Sequence, residues 1–83
     1  MVFIDNYPID LTKIEFEIFL FLIQNQNKIS SREQILNATS LDENTKNRTI
    51  DMHISNIRYK IGDDSKNPQY IKSVWGIGYK FVG

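Results

Sequence analysis

Polar side chains crowd one side of the segment from Asn47 to Ile61 and make a surface rich in hydrogen-bonding groups. With Ile50 set at zero and 100° per residue, Ile54, Ile57 and Ile61 fall within about 40° of it and make a narrow apolar seam. Opposite the seam lie Arg48, Met52, Ser55 and Tyr59, with Asn56 and Thr49 on one flank and Asp51 and Arg58 on the other. Such a face offers hydrogen-bond donors and acceptors rather than catalysis. His53 is the lone histidine and lies about 60° from the seam, with no Ser, Cys or carboxylate constellation to make it a general base. One histidine cannot hold a metal by itself, and the absence of cysteine excludes disulfides and thiolate metal sites. No enzyme activity and no cofactor are expected, and a cysteine-free chain suits a reducing cytoplasm.

The elements that must position this face are legible from local signals. Val2 to Ile4 and Tyr7 to Leu11 read as two short strands around a turn. Thr12 and Glu15 form a capping box and open a first helix. There Phe16, Phe19, Leu20 and Ile23 share one apolar face, while Ile18, Phe21 and Leu22 widen the stripe nearly all round. Ile29-Ser30 has room for no more than a bridging strand. A second capping box in Ser31-Arg32-Glu33-Gln34 opens a short helix through Ile35, Leu36 and Ala38. Residues 39–46 have no period and read as a surface loop. Asn47 can cap the third helix, and Gly62 can supply its left-handed stop. Residues 63–68 read as a turn-rich linker. Tyr70 to Val74 and Tyr79 to Val82 are two strands, joined through Trp75-Gly76-Ile77-Gly78, where both glycines can take positive φ.

With 83 residues there is room for one domain, 1–83, and 41% hydrophobic residues suffice for a compact core. The longest apolar run, Ile18 to Ile23, is six residues, where a membrane helix needs about 20. The net charge of zero hides an asymmetry. Residues 1–45 carry three basic and seven acidic side chains, net −4, and residues 46–83 carry seven and three, net +4. An anionic partner should therefore meet the C-terminal half.

Three helices, the last long and polar-faced, followed by a hairpin, form the α+β layout of a winged helix-turn-helix. Four separated blocks then carry a family resemblance: Leu11-Thr12-x-x-Glu15-Phe16, Ser31 to Leu36, Arg48 to Ile61 and Tyr70 to Phe81. In order and over nearly the whole chain, they resemble the C-terminal effector domains of OmpR/PhoB-type response regulators.

The resemblance implies sequence-specific binding of double-stranded DNA for transcription regulation, with the helix at about 47–61 in the major groove and the wing at 70–82 on neighbouring backbone or minor groove. Arg48 and His53 match residues that contact phosphates. Thr49, Met52, Asn56 and Arg58 match positions facing bases or adjoining backbone, and Ser55 is another base position. The chemistry agrees, since Asn56 can pair with adenine, Met52 can pack on a thymine methyl and Arg can bridge two phosphate oxygens or read a guanine edge. In the wing, Ser73 matches a phosphate contact and Tyr79 a backbone contact, although Tyr79 also reads as a core aromatic with an exposed hydroxyl. Trp75 stands where many relatives place a minor-groove Arg, leaving Lys72 or Lys80 to supply the wing's charge. Asp51, repelled by phosphate, reads as the partner of a nearby Arg or a cap on local backbone, and His53 also reads as a boundary residue.

The implied partners extend beyond DNA. The face is less basic than in many relatives, so affinity should come from two copies on tandem half-sites. The family also uses the 39–46 region to touch RNA polymerase, and a protein-docking winged helix is the alternative reading. Such a domain normally follows a phosphorylatable receiver served by a sensor kinase. Because the effector fold nearly uses up 83 residues, the chain is expected either to be an excised domain or to lack that control.

Overall fold

The structure, a computed structural model, describes residues 2–4, 7–39, 47–64 and 66–82, with side chains described from residue 9 to 39, 50 to 64 and 66 to 82. Strands β1 (Val2–Ile4) and β2 (Tyr7–Ile9) pair antiparallel, with Phe3 opposite Pro8. They lead into α1 (Lys13–Gln24), whose cap is the expected box: the Thr12 hydroxyl accepts from the Glu15 amide at 3.2 Å, and the Glu15 carboxylate accepts from the Thr12 amide at 2.9 Å. Strand β3 (Ser30–Ser31) is two residues long, and α2 (Arg32–Asn37) starts from a second box built by Ser31 and Gln34.

Helix α3 (Asn47–Ile61) takes Asn47 as its first residue. Its apolar seam is the centre of the molecule, with Ile50, Ile54 and Ile57 fully buried and Ile61 nearly so. At its end Gly62 adopts φ +76, the Asp63 amide donates to the Arg58 carbonyl and the Gly62 amide to that of Tyr59. These two bonds are the paired closure of a Schellman cap. The wing follows as β4 (Ile71–Val74) and β5 (Gly78–Phe81), in a three-stranded antiparallel sheet ordered β3-β5-β4.

Three expectations change. The inward face of α1 is Glu15, Ile18, Phe19 and Leu22, whereas Phe16, Leu20 and Ile23 are exposed. A helix apolar on nearly every side carries no sequence mark of its inner face, and here α3 and β5 decide it: Phe19 meets Phe81 edge-to-face at 5.7 Å, and buried Glu15 accepts from Lys60 at 2.6 Å. Second, only Gly76 takes positive φ in the tip, closed by the Ile77 amide on the Val74 carbonyl. Gly78 belongs to β5, pressed against β3, where an added Cβ would lie 2.0 Å from the Ser30 carbonyl oxygen. Third, the segment after α3 is more than a linker. Asp63 is buried and its carboxylate accepts from the amides of Gln69, Tyr70 and Ile71, which fixes where β4 begins.

Candidate nucleic-acid interface

The seam pins α3 to the core, so the helix must show its opposite face to solvent. Met52 is 56% exposed and Tyr59 86%, with Ser55 and Asn56 exposed between them. The backbone of Arg48 and Thr49 belongs to the first turn of α3, but their side chains lie outside the described residues, as do residues 40–46 of the expected docking loop. His53 sits at the boundary, half-buried, with its Nδ1 buried and lacking a hydrogen-bond partner.

Arg58 departs from the expected face. It is buried, and its guanidinium spans to the wing: Nη2 donates to the Ile71 carbonyl at 2.7 Å and to the Ser73 hydroxyl at 2.9 Å, and Nε donates to the same carbonyl at 3.1 Å. The side chain is long enough to cross from α3 to β4, where charge-assisted bonds to the carbonyl and the hydroxyl offset its lost hydration. Ser73 stays exposed. Its oxygen accepts from Arg58, which leaves its own hydroxyl hydrogen directed elsewhere.

Tyr79 also departs from expectation, because its hydroxyl is not free. The ring is buried between two guanidinium groups, with Arg32 5.4 Å and Arg58 5.6 Å from its centroid. The hydroxyl donates to Asp51 Oδ1, which also accepts from Arg32 Nε at 2.7 Å. Asp51 therefore pairs with an Arg, the first of its two sequence readings. Desolvation pushes the Asp51 carboxyl up, but the bonds from Tyr79 and Arg32 outweigh it and hold the group below its ordinary range. Desolvation and the bond to Asp51 push Tyr79 up. One network thus ties α2, α3 and both wing strands. Sequence reasoning missed its extent, because its partners are separated by 13 to 28 positions.

The rest of the wing is open. Trp75 at the tip is 98% exposed and Ile77 is 54% exposed. Lys72 and Lys80 face each other across β4 and β5. Two ammonium groups in cross-strand register repel one another, and an anion between them relieves that repulsion. Among the described residues there is no cluster of His, Asp or Glu able to hold a metal, and no helix long and apolar enough to cross a membrane.

Residues 6–81 match the family model described as the C-terminal part of transcriptional regulatory proteins. The chain belongs to that family. It is 38% identical over 80 residues to the regulatory protein VanR of Enterococcus faecium, which covers 94% of this chain and 35% of VanR. It is likewise 38% identical over 73 residues to PhoP of Bacillus subtilis, named as the alkaline phosphatase synthesis transcriptional regulatory protein, over 87% of this chain and 30% of PhoP. The chain spans about a third of the length of the curated relatives it matches. Among solved structures, the response regulator DrrB of Thermotoga maritima, an OmpR/PhoB homologue, superposes with a TM-score of 0.88 at 42% identity, over 98% of this chain and 37% of DrrB. The DNA-binding domain of RstA from Klebsiella pneumoniae, solved in complex with its RstA box, superposes with a TM-score of 0.80 at 27% identity, over 89% of this chain and 74% of that one. The winged-helix fold and the OmpR/PhoB-type resemblance expected from the four sequence blocks are thus both borne out.

Proposed function

We propose that this domain binds double-stranded DNA in a sequence-specific manner and regulates transcription as the output domain of a response regulator. In this reading α3 lies in the major groove, about 12 Å wide, and the wing rests on the adjacent backbone or minor groove. The observation that carries it is the bracing of the wing against α3 by Arg58 and Tyr79, next to an α3 face that stays uncovered and can form hydrogen bonds. The likeness to RstA, solved with its DNA box, supports the same placement.

Arg48 and His53 are assigned to phosphate, Thr49, Met52, Ser55 and Asn56 to the groove floor, and Ser73 and Trp75 to the wing's contact. Ser73 suits phosphate because Arg58 fills its acceptor side. Arg58 and Tyr79 act by positioning: they set the angle between helix and wing. The domain is a regulator rather than an enzyme, works in the cytoplasm, and in its full-length context follows a receiver domain controlled by a sensor kinase. Two copies on tandem half-sites raise the affinity of an individually weak binder. Contact with RNA polymerase through residues 39–46 is compatible with this arrangement.

A fluorescence-anisotropy titration against random-sequence duplex DNA at two salt concentrations tests the reading. Binding should weaken steeply with salt as condensed counterions are released, and Arg48→Ala should lower affinity for every sequence and flatten the salt slope by about one contact. Absence of binding at low salt and high protein concentration would sink the DNA reading and leave the protein-docking alternative.

A further inference from the structure

From Met52 to Tyr59 the outward stripe of α3 is chemically unusual for a surface that meets a polyanion. Met52, Ser55, Asn56 and Tyr59 follow one another at the i, i+3, i+4, i+7 spacing of a single helix face, all exposed and all uncharged. The cations that the same helix carries in its last two turns are directed elsewhere. Arg58 is buried and donates to the Ile71 carbonyl and to Ser73, and Lys60 donates to buried Glu15 at 2.6 Å.

Guanine is read in the major groove chiefly by Arg or Lys held against its O6 and N7, whereas adenine suits the paired donor and acceptor of Asn, and thymine alone presents a methyl group. Resting on the DNA-binding reading above, we infer that α3 reads an A·T-rich half-site through Met52, Asn56 and Tyr59. Asn56 bonds adenine N6 and N7. Met52 and Tyr59 pack on thymine methyls to either side. Tyr59 lies seven positions after Met52, about 10 Å along the helix, which is close to three base-pair steps of about 3.4 Å. The stripe thus has the length of a short run of A·T pairs. Tyr59, 86% exposed, becomes a base-reading residue.

Selection of preferred sites from a random duplex pool with the wild-type chain, followed by replacement of each selected thymine by deoxyuridine, tests the inference. The selected half-site should contain about four adjacent A·T pairs and no guanine at the positions read by residues 52–59. Removing a contacted methyl should weaken binding about fourfold, the effect of one buried methyl-sized group. That discrimination should vanish at one position in Met52→Ala and at another in Tyr59→Ala, and Asn56→Ala should lower the preference for adenine at one position by roughly 10- to 100-fold. All three side chains are exposed, and unchanged circular dichroism of the variants verifies folding. A consensus with guanine at those positions, or equal affinity for thymine and deoxyuridine duplexes at every position, overturns the inference while leaving DNA binding intact. No salt-dependent binding to any duplex overturns the DNA reading itself.

Discussion

Tyr79 in the wing donates its hydroxyl to Asp51 on the third helix, across 28 positions of sequence. This bond and the Arg58 span beside it make helix and hairpin one mechanical unit. A recognition helix alone fixes a base sequence. A helix with a wing held at a set angle also fixes the register of the backbone contacts on either side.

Replacing Arg58 should therefore do more than remove a surface charge. Arg58→Ala leaves the buried Ile71 carbonyl and the exposed Ser73 hydroxyl without their donor, and the expected loss is about 2 to 4 kcal/mol of stability by urea denaturation. Arg58→Lys should recover only part of it, because one ammonium group cannot reproduce the fork that reaches both acceptors. Tyr79→Phe keeps the ring between the two guanidinium groups and should lose about 1 kcal/mol. In both cases the amides of β4 and β5 should exchange faster than those of α1, since the wing is the part released.

The two faces of α1 should respond in opposite ways to the same substitution. Leu22 is 1% exposed and Leu20 is 40% exposed. Leu22→Ala should cost about 2 to 5 kcal/mol by creating a cavity, whereas Leu20→Ala should stay below about 1 kcal/mol. Equal losses in thermal denaturation would show that both sides of the helix are packed.

How much of this was legible in the sequence depends on how local each cause is. Both capping boxes, the isoleucine seam of α3, the glycine stop at Gly62 and the hairpin follow from residues within a few positions of one another, and each lies where the sequence places it. The inner face of α1 was not legible, because Phe16 and Phe19 are equivalent by pattern and only the packing of Phe81 distinguishes them. The burial of Arg58 and the capture of the Gln69, Tyr70 and Ile71 amides by Asp63 escaped for the same reason. In each case a polar residue reads as surface until the chain brings an acceptor or donor to it. Of the candidate interface, Met52, Ser55 and Asn56 are exposed as the helical wheel demanded, while Arg58 and Tyr79 are buried and bonded within the domain.

Stability should fall at acid pH for a stated reason. Asp51 is held below its ordinary range, and so is Glu15, where desolvation raises the carboxyl but bonds from Lys60 and the Thr12 backbone outweigh it. A group whose folded value is depressed contributes stability above its unfolded value and loses it as pH falls through the folded one. The loss should begin near pH 4, the ordinary carboxylate range, and continue below it. Glu15→Gln should flatten this acid limb when urea midpoints are compared from neutral to about pH 3, the lower end of that window. Tyr79 acts at the other end: its value is raised, so its contribution is present below about pH 10 and is lost as pH rises through the folded value.

Gly78 should be the least replaceable of the described glycines. Gly62 and Gly76 have open space around a would-be Cβ and are constrained only by φ +76, so alanine at either should cost roughly 1 kcal/mol through backbone strain. At Gly78 a Cβ would stand 2.0 Å from the Ser30 carbonyl oxygen and 2.8 Å from Ser31 Cα, both backbone atoms of the adjoining strand. No side-chain rotation can relieve that clash, so β5 must separate from β3. The consequence reaches the proposed interface, because Ser31 caps α2 and Tyr79 follows Gly78 directly. Gly78→Ala should lower the melting temperature far more than Gly76→Ala and should also release the Tyr79 bond to Asp51. Solvent exchange at the β3 and β5 amides is the measurement that separates the cases. Unchanged protection in Gly78→Ala would mean that the two strands lie farther apart than described.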